Sequence, residues 1–242
     1  MATYNGSKYV EAQLRSILSQ IGSGDEVVIV DDASTDATCN IIRGLNDSRI
    51  RLVRNSSNSG PLRSFEKALL ESTGDLLFLT DQDDIWLPAK VPSILQAFAE
   101  NPTAKVVTSD SSLIDENGTL LAPSYYATRG GFTTSIVQNL IRCRYQGCNM
   151  AFRRSLLADC LPYPRGYFML AHDIWIGMGN TLLGGQTVYL NQPLLLYRRH
   201  PANFSHPLGK SHQIRVRVHL MVALLLFWLT KHFISRRHDG EN

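Results

Sequence analysis

The run Thr80-Asp81-Gln82-Asp83-Asp84 places three carboxylates within four residues, at the end of the apolar stretch Asp75-Leu-Leu-Phe-Leu-Thr-Asp81. Carboxylates this close repel one another, and a cation seated among them relieves the strain. Hard divalent ions such as Mg²⁺ and Mn²⁺ prefer oxygen ligands, and Mg²⁺ is commonly held by one or two carboxylates together with substrate phosphates. Asp-x-Asp after a strand therefore reads as a metal–diphosphate site. An acidic turn leading into a helix N-terminus, where Asp is also favourable, accounts for the same residues. Asp31-Asp32-Ala33-Ser34-Thr35-Asp36 is a second acidic cluster, again at the end of an apolar run.

Strands and helices in alternation must position these acids. Glu26–Asp32, Ile50–Arg54, Asp75–Asp81 and Lys105–Asp110 read as strands, and three of the four end in Asp. Apolar runs without alternation suit strands covered on both faces, as in a parallel sheet. Helical patterns cover about Tyr9–Ser19, Asp36–Leu45, Leu62–Ser72 and Lys90–Glu100, and Ser34-Thr-Asp36 offers capping side chains before the second. The order predicts an α/β fold with a mainly parallel sheet flanked by helices. Ligands of such sheets sit outside the carboxyl ends of the strands, where the acids lie. Later, Asp173–Leu183 reads as a helix, Gln186–Leu190 and Leu194–Tyr197 as short strands, and Ile214–Ile234 as a strongly apolar helix.

Ala2-Thr3-Tyr4-Asn5-Gly6, Val30–Asp36, Asn58-Ser59-Gly60, Thr80–Asp84, His172-Asp173 and Tyr197-Arg198-Arg199-His200 together carry a resemblance. In this order, over roughly residues 1–205, the chain resembles glycosyltransferase family 2, whose catalytic domain has the GT-A nucleotide-sugar-binding fold. The run Asp83-Asp84-Ile85-Trp86-Leu87-Pro88 is similar to that of bacterial enzymes building O-antigen and capsule, rhamnosyltransferases among them.

The resemblance implies roles. Thr3, Tyr4 and Asp32 line the nucleoside pocket, while Asp31 is structural. Asp81 approaches the ribose or sugar. Asp83 binds Mg²⁺ or Mn²⁺, with His200 completing the metal or phosphate site and Arg199 contacting phosphate. Asp173 is the implied base for an inverting transfer, and its other reading is a helix N-cap. Gly147–Phe152 is similar to the stretch that shapes the acceptor side. The family has a full hydrophobic strand before Ala-Thr-Tyr-Asn, so the first strand reads as cut short at Met1, either by a misplaced start or by truncation of the chain.

Of the 242 residues, 44% are apolar and 19% charged, which excludes a disordered chain, a collagen or a disulfide-stapled mini-protein. Four cysteines without a C-x-x-C pair argue against a zinc ribbon or a thioredoxin site, and read as reduced thiols of a cytoplasmic protein. The net charge of +3 is uneven: from Leu196 onward eight Lys/Arg face two acids. Residues 1–205 thus read as a catalytic domain and 206–242 as a basic tail with an apolar helix. The helix fits the inner face of the cytoplasmic membrane, lying in the interface rather than packing on the domain or spanning. The expected partners are a nucleotide-sugar donor, dTDP-rhamnose or a UDP-hexose, and a glycan or lipid-linked acceptor, with no nucleic acid. Two other functions compete: an inactive nucleotide-sugar-binding remnant, and a sugar-phosphate nucleotidyltransferase, against which the missing Gly-rich phosphate loop argues.

Overall fold

The computed structural model describes residues 1–164, 172–201, 203, 221–227 and 229–230. It contains two sheets with helices packed on them. The first is parallel, with strand order β1 (Ala2–Thr3), β2 (Val27–Asp31), β3 (Ile50–Arg54). All five residues of β2 are buried, which is why its Val-Val-Ile-Val run shows no polar alternation. Although β1 is only two residues long, its ladder extends through Met1, whose carbonyl accepts the Val30 amide at 3.0 Å.

Helix α1 (Val10–Leu18) follows β1 and buries Val10, Gln13, Leu14 and Ile17, one face at helical spacing. Helix α2 (Thr38–Gly44) links β2 to β3. Helix α3 (Pro61–Glu71) starts on Pro61 after Gly60, whose φ of 86° only glycine adopts without strain.

The second sheet is mixed. Its strands are β4 (Leu76–Phe78), β5 (Ile85–Trp86), β6 (Ala104–Ile114), β7 (Leu120–Ala122), β8 (Met150–Arg153) and β9 (Gln186–Arg198). Their order is β4-β8-β6-β9-β5, with β7 paired to β6. Only β6 and β9 run parallel here; the other pairs are antiparallel. Parallel pairing therefore governs the first sheet and the long β6–β9 ladder, and antiparallel strands complete the α/β fold.

Two expectations are refined. The Asp75–Asp81 strand shrinks to Leu76–Phe78: the Leu79 amide still donates to the Met150 carbonyl at 3.1 Å, and the following residues leave the sheet as a loop that buries Asp83 and Asp84. The two short strands at 186–197 are one strand, β9, whose register against β6 shifts from Ser109–Leu190 to Asp110–Pro193. A bulge there accommodates Pro193, which has no amide to donate.

Helix α4 (Lys90–Glu100) packs on β6. Helices α5 (Ile136–Ile141) and α6 (Leu157–Cys160) lead to α7 (His172–Leu182), which packs beside α5 and β9. Residues 221–227 are helical, and they bury Ala223, Leu224 and Phe227 in the same core as Trp175 and Ile176 of α7. Phe227 meets the Trp175 ring edge-on at 5.0 Å. The apolar C-terminal helix was expected to lie free in an interface; its described part packs on the domain by one face. The rest of 206–242 lies outside the described residues.

Candidate functional site

Strand ends and the loops after them supply the site. Beyond β1, Asn5 and Gly6 are pinned to the turn after β2. The Asn5 amide donates to Ser34 Oγ at 2.9 Å, Asn5 Oδ1 accepts the Thr35 amide at 2.9 Å, and the Gly6 amide donates to Thr38 Oγ1 at 2.8 Å. Ala33 takes a φ of 64°, an uncommon left-handed conformation that makes this turn sharp. A Cβ on Gly6 would lie 2.2 Å from Gln82 Oε1, so a larger residue here would displace the Gln82 side chain from the Tyr4 backbone.

Asp31 is fully buried and accepts Thr3 Oγ1, Ser34 Oγ and the Ser34 amide, which ties β1 to the turn after β2. Thr3 is consequently locked onto Asp31 and buried, whereas Tyr4 is exposed. Asp32 is also buried. It accepts Asn55 Nδ2 and the amides of Ser59 and Gly60 at 2.8–2.9 Å, together with Ser59 Oγ. Burial raises its pKa, but these donors outweigh that and hold the carboxyl below its ordinary value. Asp32 thereby fixes the 55–60 loop against β2.

The acid loop is tied to the rest from three sides. Gln82 pairs with the Tyr4 backbone in both directions, accepting its amide at 2.9 Å and donating to its carbonyl at 3.0 Å. Gln13 of α1 donates to Thr80 Oγ1 at 2.6 Å. The Arg198 amide donates to Asp84 Oδ1 at 3.0 Å, and Arg198 Nε donates to the Asp83 carbonyl at 2.9 Å.

A cation also sits inside the fold. Lys90, on the first turn of α4, is completely buried; its Nζ donates to the Cys148 carbonyl at 2.6 Å and lies 5.0 Å from the Trp86 ring. Burial lowers its pKa to about 8, opposed by the fields of Asp84 and Asp81. Part of the charge that the sequence leaves for a metal ion is thus met by Lys90. Replacing Lys90 with Met removes that cation and leaves the Cys148 carbonyl without its donor. The expected loss is about 1–3 kcal/mol, the usual cost of an unsatisfied buried polar group, read as a lower midpoint in urea unfolding.

Burial, then Asp83 and Asp173, push the Asp81 carboxyl up to about 7, and burial pushes Asp84 well above its usual range. A folded pKa above the unfolded value of 3.8 gives stability that is complete below about pH 4 and is lost as pH rises through about 7. Asp81→Asn should therefore melt higher than the parent at pH 8 in EDTA and nearly with it at pH 4. Thermal melts at the two pH values check this.

Asp83 and His200 meet directly. His200 Nε2 lies 2.8 Å from Asp83 Oδ2, and Asn203 Nδ2 donates to the same oxygen at 3.0 Å. Adjacent ligand atoms of an octahedral ion with 2.0–2.1 Å bonds stand roughly 3 Å apart, so this spacing admits a shared divalent ion, with the Asp83 carboxylate as the oxygen ligand that Mg²⁺ and Mn²⁺ prefer. Asp81, Asp84 and Cys148 also approach one another, with ligand atoms within 4.8 Å. That group fits a hard ion less well, because burial keeps the Cys148 thiol protonated and Lys90 stands beside the acids.

Asp173 lies on the first turn of α7, and its Oδ2 accepts the Gly147 amide at 2.8 Å. Gly147 opens the short 3-10 turn Gly147–Asn149 that carries Cys148, so Asp173 reaches the acid cluster through this turn and adds to the field on Asp81. The preceding His172 stacks on Phe65 at 3.8 Å, and burial lowers its pKa.

The structure thus brings Asp81, Asp83, Asp173 and His200 into one region and ties Tyr4 to it through Gln82. Thr3 and Asp32 brace the neighbouring loops. Arg199 stands apart: its guanidinium is partly exposed beside Tyr197, while the adjacent Arg198 is the arginine buried on the acid loop. Gln82, Lys90, Arg198 and Asn203 escaped the sequence reading as site residues. A lone lysine among the apolar neighbours of Pro88–Val91 was the one available signal.

Acids at strand ends, a carboxylate–imidazole pair and this two-sheet framework define a GT-A-type nucleotide-sugar fold. A profile of the family described as Glycosyl transferase family 2 matches residues 1–161, and the chain belongs to that family. An uncharacterized glycosyltransferase of Nostoc sp. is 26% identical over 211 residues, covering 84% of this chain and 64% of the relative. The Escherichia coli UDP-Glc:alpha-D-GlcNAc-diphosphoundecaprenol beta-1,3-glucosyltransferase WfaP is 35% identical over 91 residues, 38% of this chain and 36% of the relative. The chain thus spans less than two thirds of the length of either. Among solved structures, Staphylococcus aureus TarS 1-349 in complex with UDP-GlcNAc superimposes with a TM-score of 0.75 at 20% identity, over 93% of this chain and 65% of TarS. The Pyrobaculum calidifontis mannosyltransferase PcManGT, in complex with GDP-Man and Mn²⁺, gives 0.59 at 21% identity, over 96% of this chain and 62% of that one.

Proposed function

We propose that the chain transfers a hexosyl group from a nucleoside-diphosphate donor to a glycan or lipid-linked acceptor, with inversion and with Mg²⁺ or Mn²⁺, in the assembly of cell-surface polysaccharide. The observation that carries this reading is the Asp83–His200 pair beside Asp81, in the same electrostatic region as Asp173.

Asp83 and His200 would hold the ion, which when bound would neutralise charge on the leaving diphosphate. Tyr4 and the turn braced by Asp32 flank the nucleoside. Asp81 faces the ribose or sugar, and Arg199 stands at the rim for phosphate. Asp173 takes the proton from the acceptor hydroxyl as its oxygen bonds to the anomeric carbon, and the diphosphate leaves from the opposite face with the bonding electrons. Between the two donors expected from sequence, a UDP-hexose is favoured over dTDP-rhamnose, since WfaP is a UDP-Glc-dependent glucosyltransferase and TarS forms a complex with UDP-GlcNAc. The acceptor of WfaP is diphosphoundecaprenol-linked, which favours a lipid-linked acceptor and work at the inner face of the cytoplasmic membrane.

The test is a donor panel of UDP-, GDP- and dTDP-sugars with a polyprenyl-diphosphate sugar acceptor, read by mass spectrometry. A new glycosidic product with release of nucleoside diphosphate supports the reading. Release of pyrophosphate, or no turnover with any donor, overturns it.

A further inference from the structure

Two elements outside the candidate site present apolar side chains to solvent. On α5, Val137 and Ile141 are 68% and 63% exposed and stand four residues apart, on one face. On the C-terminal helical segment, Met221, Leu225 and Leu226 are at least half exposed, while Ala223, Leu224 and Phe227 are buried. The two elements are neighbours: Ile136 and Leu140 of α5, Leu182 of α7, and Met221, Leu224 and Leu225 line one apolar groove of about 220 Å³. The exposed residues therefore belong to one surface, folded from segments some eighty positions apart.

The sequence next to these two elements is cationic: Arg142 and Arg144 follow α5, and Lys210, Arg215, Arg217, Lys231, Arg236 and Arg237 flank positions 221–227 along the chain. Arg142, directly after α5, is exposed. We infer that α5 and the C-terminal helical segment form a single docking surface for an anionic lipid bilayer. Apolar side chains enter the headgroup–acyl boundary and the flanking cations meet lipid phosphates. A second copy of this chain fits less well, since two surfaces of the same positive charge would face each other. No helix among the described residues is long and apolar enough to cross a membrane, so the surface lies on the bilayer.

The surface also has a place in the proposed reaction. Leu182 in the groove and Asp173 at the candidate site lie at opposite ends of α7. Nine residues of helix separate them by about 14 Å, a span that a lipid-linked sugar can bridge. This last step rests on the proposed transfer; the docking surface does not.

The experiment is flotation of the full chain with phosphatidylglycerol–phosphatidylcholine vesicles and with phosphatidylcholine alone. The variants are the double substitution Val137→Asp/Ile141→Asp and, as a control on an exposed leucine elsewhere, Leu70→Asp. The parent and the control should float with the anionic vesicles and not with the neutral ones. The α5 double variant should lose at least about tenfold in bound fraction, given two apolar side chains withdrawn from the boundary, with an unchanged melting temperature. No flotation by the parent, or flotation of the double variant equal to the parent, overturns the proposal. So does a parent dimer, seen by light scattering, that the double variant dissolves, because the surface then serves a second copy. Nucleoside-diphosphate binding, measured in parallel without vesicles, separates failure of the site from failure of the surface.

Discussion

Asp83→Ala is expected to abolish metal-dependent transfer. Asp83 Oδ2 is the atom on which His200 and Asn203 converge, so its removal takes away the oxygen ligand of the candidate ion site and leaves His200 and Asn203 without it. Clamping the leaving diphosphate with a cation supplies several kcal/mol to the transition state, roughly 10³-fold in rate. Raising Mg²⁺ or Mn²⁺ does not restore the loss, because the carboxylate that meets His200 is gone. Asp83 is 9% exposed and the acid loop keeps its ties through Gln82, Asp84 and Thr80, so the variant should retain its fold. Steady-state turnover at saturating ion, with a melting curve as the control, decides the matter. Near-normal turnover would remove Asp83 from the ion site.

Asp173→Asn should leave donor binding intact and lower turnover by roughly 10²–10⁴, the usual contribution of a positioned acid or base. The amide oxygen of Asn can still accept the Gly147 amide, so the tie between α7 and the 147–149 turn survives. What disappears is the capacity to take a proton. Titration calorimetry with the nucleoside diphosphate, alongside initial rates, separates the two effects. Weakened binding with unchanged turnover per bound donor would show that Asp173 braces the turn and does not act on the acceptor.

Much of the framework was legible because it is local. Val27–Asp31 is a β-branched run of strand length, Ile50–Arg54 sets three apolar residues among two arginines, and α1, α3 and α4 carry their apolar residues at helical spacing. The antiparallel half of the second sheet was less legible: β4 and β8 are three and four residues long, and their direction depends on where the chain returns. The single strand β9 was hidden for a related reason. Pro193 signals a break in sequence, and only the β6 partner absorbs it as a bulge.

By itself the sequence determined the kinds of groups at the site and their order along the chain: acids after apolar strands, an Asp-x-Asp run, His172-Asp173, and a cationic stretch ending in His200. Hydropathy periodicity and side-chain chemistry act over a few residues, and these features need no more than that. Tertiary structure decided which groups meet. Asp83 and His200 are 117 positions apart, Gln82 and Tyr4 are 78 apart, and Lys90 reaches a carbonyl 58 positions away. Such pairings depend on strand order and on which face of each helix is buried. Burial in turn sets the charge: Lys90 becomes an internal counter-ion, and Asp81 and Asp84 hold protons at higher pH, only because the fold removes water from around them.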